Sequence, residues 1–214
     1  MPPKAVRQRR RPTQERAKAT REHILETAAR LFGERGIANT STNRIAAEAG
    51  VSIGTVYRYF EDRSVMVDEL LGRLLTDAEQ RFTEWVSTLS QQPFPRLRDS
   101  MREVIVDLLE VFADALVTNA KLVRALVEGV QFYSSGIPEF EPRLRLLVKV
   151  VLIQFFGPGN DHKYDTMTFV FINTGFAAVL RASALEMDGD ARREAITMTA
   201  SMIANWLEAE ARAA

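Results

Sequence analysis

Apolar residues recur with a helical period through almost the whole chain, and this periodicity restricts the fold more than any other feature. The stretch after Asp62 shows it most clearly: Val67, Leu70, Leu71, Leu74, Ala78, Phe82, Trp85 and Val86. That spacing places all of them on one face of an α-helix. We find no alternation of apolar and polar residues of the kind that marks strands. The sequence therefore predicts an all-α protein of about nine helices, three short ones followed by six longer ones.

Charge is distributed unevenly along the chain, although Lys plus Arg and Asp plus Glu balance at 28 each. Residues 1–63 contain 13 basic and 7 acidic side chains, whereas the remaining 151 residues contain 15 and 21. This asymmetry indicates one end that faces nucleic acid and an acidic body. We predict three parts: a basic flexible arm (1–16), a small helical domain (17–63) and a larger helical domain (64–214).

The residue types present exclude several classes of chemistry. The chain has no cysteine, which removes disulfides and thiolate sites. Its histidines, His23 and His162, lack metal-ligand spacing. No nucleophile–base pair, carboxylate pair or phosphate loop stands out, so we expect no catalytic residue, no metal and no cofactor.

The start lacks a signal-peptide pattern, and MTFVFINTGFAAVL is too short to span a bilayer, so we expect a cytoplasmic protein outside the membrane.

The small domain has the pattern of a helix-turn-helix unit. The first helix is predicted from about Ala17 to Arg35, with Gly36 as its stop. A second, short helix follows Ser41 or Thr42, which are natural N-caps. AGVS at 49–52 then turns the chain into a third helix capped by Ser52. A short helix, a turn with glycine and a second helix is the helix-turn-helix order.

The third helix, SIGTVYRYF at 52–60, has two different faces at 100° per residue. One arc is predicted to face the core: Ile53, Val56, Tyr57 and Phe60. The opposite arc offers hydroxyls, a guanidinium and bare backbone: Ser52, Gly54, Thr55, Arg58 and Tyr59. Glycine costs about 1 kcal/mol relative to alanine within a helix, a cost that suits close approach to a partner. The alternative is an ordinary amphipathic helix with a solvated polar face.

These segments resemble the tetracycline-repressor (TetR) family. The resemblance covers about Arg21 to Leu70 and rests on ILETAARLFGERG and STNRIAAEAGVSIGTVYRYFEDRSVMVDEL. The family's IleAla, GlyValSer and GlyThr-x-Tyr-x-x-Phe stand at 45–46, 50–52 and 54–60, and Arg63 takes a position where lysine is usual. The resemblance implies a homodimer that binds a double-stranded, palindromic DNA operator.

The same resemblance implies roles for individual residues. Positions expected to contact phosphates are Thr42, Tyr57, Tyr59 and Arg63. Positions expected to make base contacts or a close backbone approach are Asn43, Ser52, Ile53, Gly54, Thr55 and Arg58. RQRRR at 7–11 is either an arm that reaches phosphates or the minor groove, which we favour, or a solvated tail.

The larger domain is rich in aromatic residues. Its predicted helices are a long one after Asp62, which QQPFP at 91–95 breaks, and five more over about 96–118, 121–133, 143–156, 164–186 and 191–212. Candidate walls and anchors of a small-molecule site are Trp85, Phe112, Phe132, Tyr133, Phe155 and Asn173. The alternative for each is plain core or surface. The last two helices are expected to form the homodimer interface, and the alternative is that they close a monomeric bundle.

The resemblance, together with the layout of the predicted helices, implies a transcriptional repressor that a small, largely apolar ligand releases from its operator. Two alternatives remain: a DNA-binding protein of the same fold with a protein partner or no effector, and an enzyme with an incidental helix-turn-helix.

Overall fold

In the computed structural model, the residues that the structure describes are 10–89, 100–129, 140–184 and 187–213, and they contain helices and no strand. The helices are α1 (Arg10–Arg35), α2 (Thr42–Glu48), α3 (Ile53–Tyr59), α4 (Arg63–Leu89), α5 (Met101–Val117), α6 (Ala120–Gly129), α7 (Phe140–Phe156), α8 (Asp161–Phe171), α9 (Ala177–Ala184) and α10 (Gly189–Ala213). A π-helical turn (Ile172–Phe176) joins α8 to α9 without a break. With α8–α9 counted as one interrupted helix, the described residues form nine helices, as predicted.

Proline explains why two of the helices begin earlier than predicted. Helix α1 begins at Arg10 rather than near Ala17, so residues 10–16 of the predicted flexible arm are helical. Helix α7 begins at Phe140 rather than near Arg143. Pro12 and Pro142 each fall in a first turn, where a backbone N–H has no intrahelical partner and proline is tolerated. The rest of the arm, including 7–9 of RQRRR, lies outside the described residues.

The amino-terminal helices surround one apolar core. Its fully buried members include Ile24, Leu25, Leu31, Phe32, Ile45, Val56, Phe60 and Met66. The core continues beyond residue 63, because Val67, Leu70 and Leu71 of α4 belong to it. So do Leu122, Ala125 and Leu126 of α6. The amino-terminal packing unit is therefore wider than the predicted segment 17–63.

A second core holds the larger domain together. It joins the later part of α4 to α5 and to helices α7 to α10. At the π-helical turn the rings of Phe112 and Phe176 lie 4.1 Å apart. A Cβ on Gly175 would lie 3.0 Å from Cδ1 of Ile203, so the turn packs closely against α10. Among the described helices, none combines the length and the apolar character that a membrane span requires.

Candidate nucleic-acid interface

Serine caps fix the starts of the second and third helices. Ser41 has an extended backbone, and its hydroxyl accepts a hydrogen bond from the Arg44 N–H at 3.3 Å. Ser52 caps α3 in the same way, with its Oγ 3.1 Å from the Thr55 nitrogen. Gly50 has φ +65°, a left-handed conformation that favours glycine and turns the chain between the two helices. Both predicted caps and the glycine turn are confirmed.

Two fully buried side chains anchor α3. Val56 and Phe60 are 0% and 1% exposed and lie in the amino-terminal core. Tyr59 is half-buried and packs against the same core. The predicted inward positions of Ile53 and Tyr57 are wrong, because these side chains are 36% and 54% exposed. With only seven residues, α3 contacts α1 and α2 along a narrow arc.

The exposed face of α3 carries most of the predicted DNA-contacting residues. Ser52, Ile53, Gly54, Tyr57 and Arg58 are exposed, and Thr55 is half-buried. The Ser52 and Thr55 hydroxyl oxygens lie 2.9 Å apart. Arg58 places its guanidinium carbon 5.4 Å from the centre of the Tyr59 ring. The surface therefore combines hydroxyls, an exposed apolar side chain and a guanidinium within two helical turns.

Helix α2 adds to the same face. The Tyr57 hydroxyl lies 3.3 Å from Oγ1 of Thr42, at hydrogen-bond distance. Asn43 is exposed beside Thr42 at the start of α2. The structure thus brings the predicted residues of α2 and α3 together on one surface.

Gly54 has open space around it. A Cβ built there would meet one neighbouring atom within 4 Å, the Ser52 Oγ at 3.9 Å. Its backbone lies in α3, where any L-residue is tolerated. Internal packing therefore gives no reason for glycine at this exposed position.

Arg63 has a structural role that the sequence did not reveal. Its Nη1 donates to the carbonyl oxygens of Ile37, Thr40 and Ala38, at 2.7, 3.0 and 3.3 Å. These carbonyls belong to the loop between α1 and α2, whereas Arg63 opens α4. The side chain therefore fastens the start of α4 to the loop that precedes the helix-turn-helix. No local sequence signal pairs an arginine with carbonyls more than twenty residues away.

A network of four charged residues, which we call the α1–α4 clasp, joins the two long amino-terminal helices: Arg21, Glu22, Glu69 and Arg73. Arg21 donates to both carboxylate oxygens of Glu69, with Nη1 2.7 Å from Oε1. Arg73 donates to both oxygens of Glu22 and also to Oε1 of Glu69, the latter at 3.0 Å. The Arg21 guanidinium also lies over the Phe60 ring, 4.8 Å from its centre.

Hydrogen bonding in the clasp shifts the acidity of its members. The bond from Arg21 lowers the pKa of Glu69, and the bond from Arg73 lowers the pKa of Glu22. The carboxylates in turn raise the pKa of both arginines. The clasp was not predicted, because only the spacing of Glu69 and Arg73 on one helix is visible in the sequence.

The predicted ligand-site residues do not gather around one open site. Trp85 and Phe112 are buried beside other aromatic rings, Phe82 at 5.6 Å and Phe176 at 4.1 Å. Phe155 is buried in the second core. Asn173 is exposed, and its amide donates to the Phe169 carbonyl at 2.8 Å, so it does not anchor a ligand inside the core. Phe132 and Tyr133 lie outside the described residues.

Known proteins resemble this chain in the segment that carries α2 and α3. Residues 24–70 match the family model described as bacterial regulatory proteins, tetR family. This match covers α2, α3 and the parts of α1 and α4 that pack on them. Residues 24–70 belong to the TetR family. The matched segment ends at Leu70, where the predicted resemblance ended.

A curated relative agrees with the TetR-family assignment. The HTH-type transcriptional regulator AcrR of Shigella flexneri is 33% identical over 100 residues, which is 47% of this chain and 45% of the relative. The alignment thus spans less than half of that protein.

Solved structures extend the similarity in fold to most of the chain. A TetR-family transcriptional regulator from Streptomyces coelicolor has a TM-score of 0.65 at 20% identity, covering 92% of this chain and 83% of its own. FadR of Thermus thermophilus, a TetR-family transcriptional repressor in complex with lauroyl-CoA, has a TM-score of 0.55 at 21% identity, covering 86% and 92%. At these identities the comparison shows a shared fold. All three of these proteins are regulators and not enzymes.

Proposed function

We propose that the chain is a sequence-specific DNA-binding transcriptional regulator whose α3 enters the major groove. The observation that carries this proposal is the exposed face of α3, where Ile53 and Tyr57 are 36% and 54% exposed. The buried Val56 of the same helix and Phe60 at its end are 0% and 1% exposed by comparison. In helix-turn-helix proteins the second helix lies in the groove with its first residues nearest the bases.

The chemistry of this face suits DNA. The hydroxyls of Ser52 and Thr55 can pair with base edges, and Ile53 can contact a thymine methyl group. Gly54 would let the backbone approach the DNA closely, which accounts for a glycine that internal packing does not require. Asn43 and Arg58, both exposed, complete the proposed base-contacting set.

Phosphate contacts would position the helix. Thr42 and Tyr57 are proposed to contact one phosphate together, because their hydroxyl oxygens lie 3.3 Å apart. Tyr59 and Arg63 are proposed to contact the flanking backbone. The Nη1 of Arg63 is bonded to three loop carbonyls, so its other N–H groups would supply that contact.

A homodimer through the last two helices would present two such surfaces. Apolar side chains remain exposed along α8 and α10: Phe169, Val170, Met198 and Met202. Lys163 near the start of α8 pairs with Glu210 near the end of α10 at 2.8 Å, so these helices are antiparallel neighbours. Two such pairs form a four-helix interface around a two-fold axis. That axis would set the recognition helices about 34–36 Å apart, one turn of DNA, on a palindromic operator.

We propose repression relieved by a small, largely apolar effector, with the protein acting in the cytoplasm. The support is the aromatic second core and the lauroyl-CoA complex of FadR, a protein of this fold. An effector acts only if it binds one dimer geometry more tightly than the other.

A regulator of the same fold controlled by a protein partner, or by no effector, is the second candidate. The tight packing of Trp85, Phe112 and Phe155 favours it.

Selection of duplexes from a random pool at physiological salt tests the proposal, because non-specific binding is weak there. We expect a two-fold symmetric site whose affinity falls with Tyr57→Phe and Thr55→Ala. Thr83→Ala, at an exposed threonine of α4, is the matched control and should bind like the wild type. Recovery of no symmetric sequence would contradict the proposal.

A further inference from the structure

Helix α6 lies between the two domains and packs on both. On one side it contacts α1, and its residues Leu122, Ala125 and Leu126 are buried in the amino-terminal core. On the other side it contacts α9 of the larger domain. The chain thus connects its domains through α6 as well as through the continuous helix α4.

The contact between α1 and α6 is closest at Gly33. A Cβ built on Gly33 would lie 3.0 Å from the Lys121 Cβ, 3.2 Å from the Lys121 carbonyl carbon and 3.3 Å from the Leu122 nitrogen. Two of these three atoms are backbone, which cannot rotate away as a side chain can. Any side chain at 33 therefore forces the two helices apart by a few tenths of an ångström.

Movement of α1 carries the recognition helix with it. Both α2 and α3 pack on α1. Arg63 holds the start of α4 to the loop after α1. The α1–α4 clasp holds a later part of α4 to α1 itself. Because these contacts bind the amino-terminal helices into one unit, a change at the α1–α6 crossing turns that unit as a whole.

We infer that Gly33 is a positioning residue that sets the orientation of the DNA-binding unit on α6, and thereby the spacing between the two recognition helices of a dimer. The inference rests on the proposed function and names a residue that would adjust how the dimer fits its operator. Gly33 acts without touching DNA, through the closeness of the two helix backbones. A displacement of α9 in the larger domain would move α6, and α6 would in turn shift its contact with α1 at Gly33.

Substitutions at two glycines and one lysine test the inference on the full-length protein. The probes are the symmetric duplex selected with the wild type and two versions with one base pair added or removed between the half-sites. Gly33→Ala is compared with Gly72→Ala, because Gly72 also lies inside a helix but a Cβ added there would have no atom within 4 Å. Lys121→Gly in the Gly33→Ala background removes the closest contacting atom, the Lys121 Cβ. Lys121→Ala in that background keeps this Cβ and removes the rest of the side chain.

The expected result is a difference between the two alanine variants. Gly33→Ala should lose about five-fold or more in affinity for the selected duplex and should change its order of preference among the three spacings. Gly72→Ala should match the wild type in both. Lys121→Gly should restore part of the original preference in the Gly33→Ala protein, whereas Lys121→Ala should not.

The outcomes separate this inference from the proposed function. If the wild type selects no symmetric duplex, the proposed function fails first. If the wild type selects one and Gly33→Ala keeps its affinity and spacing preference, the inference is overturned. If Gly33→Ala unfolds, the Lys121→Gly double variant must refold and recover the preference, and its failure to do so also overturns the inference.

Discussion

At the scale of single residues, Arg63 shows that one side chain can serve the fold where a motif assigns it to DNA. Its Nη1 is bonded to three carbonyls of the loop between α1 and α2. Hydrogen bonds from a charged donor are worth about 1.5–3 kcal/mol each in favourable cases. The contact holds the start of α4 in place before any DNA is bound.

The first prediction concerns the stability of Arg63 variants. Arg63→Met keeps the length of the side chain and removes every donor, so we expect the free energy of unfolding to fall by about 2 kcal/mol. Arg63→Lys should lose less, since an ammonium group has three donors that can reach the same carbonyls. Urea denaturation measures both. A purely phosphate-contacting arginine would leave Arg63→Met as stable as the wild type.

At the scale of helices, the α1–α4 clasp joins two helices whose contact cannot be predicted from apolar periodicity. Its four side chains are partly exposed, between 23% and 44%. Exposed ion pairs contribute about 1 kcal/mol or less, so the clasp orients the helices more than it stabilises them. The core beneath it provides most of the stability.

The second prediction is a pH dependence that belongs to the clasp. The folded pKa of Glu69 is lowered, so its contribution is fully present above the unfolded carboxyl pKa of about 4.3 and is lost as the pH falls through the folded value. Glu69→Gln should therefore be about 1 kcal/mol less stable than the wild type at pH 7. The gap should close as the pH falls below about 4.

Thermal melts at several pH values measure this gap. Glu26→Gln is the control, because Glu26 is an exposed carboxylate on α1 outside the clasp. It should show little difference from the wild type at any pH. A Glu69→Gln gap that stays constant down to about pH 3, below the ordinary carboxyl pKa, would show that the charge on Glu69 is not what matters.

Helix existence and order were predictable from the sequence, since apolar periodicity and the caps at Ser41 and Ser52 are local signals. The start of α1 was not predictable, because a proline such as Pro12 indicates a helix break unless it lies in the first turn of the helix. The exposure of Ile53 and Tyr57 was also predicted wrongly. Their angular positions place them on the same side of α3 as the buried residues, but they do not show how much of that side the neighbouring helices cover. The roles of Arg63 and α6 depend on contacts between distant parts of the chain.

At the scale of the whole molecule, the proposed dimer sets the distance between the two recognition helices. The exposed methionines Met198 and Met202, at 65% and 56%, lie one turn apart on α10. Phe169 and Val170 are exposed on the neighbouring helix α8. Apolar side chains placed this way are expected to be covered by a second copy of the chain.

The third prediction is the oligomeric state of variants in this face. Met202→Glu places a charge in the proposed interface, so we expect monomers by sedimentation at micromolar concentration and loss of operator binding. Leu146→Glu is the comparison, because Leu146 is an exposed apolar residue on α7, outside the last two helices. It should remain dimeric. The reverse pattern would move the interface away from the last two helices.

Contact between the exposed face of α3 and DNA is tested by the operator affinity of Gly54→Ala beside that of Gly72→Ala. Both positions have room for a methyl group in the free protein, so both variants should fold with wild-type stability or better. We predict that Gly54→Ala loses about ten-fold or more in affinity, comparable to the loss of a base contact, while Gly72→Ala keeps it. Equal, wild-type affinity for the two variants would show that DNA does not closely approach this face of α3.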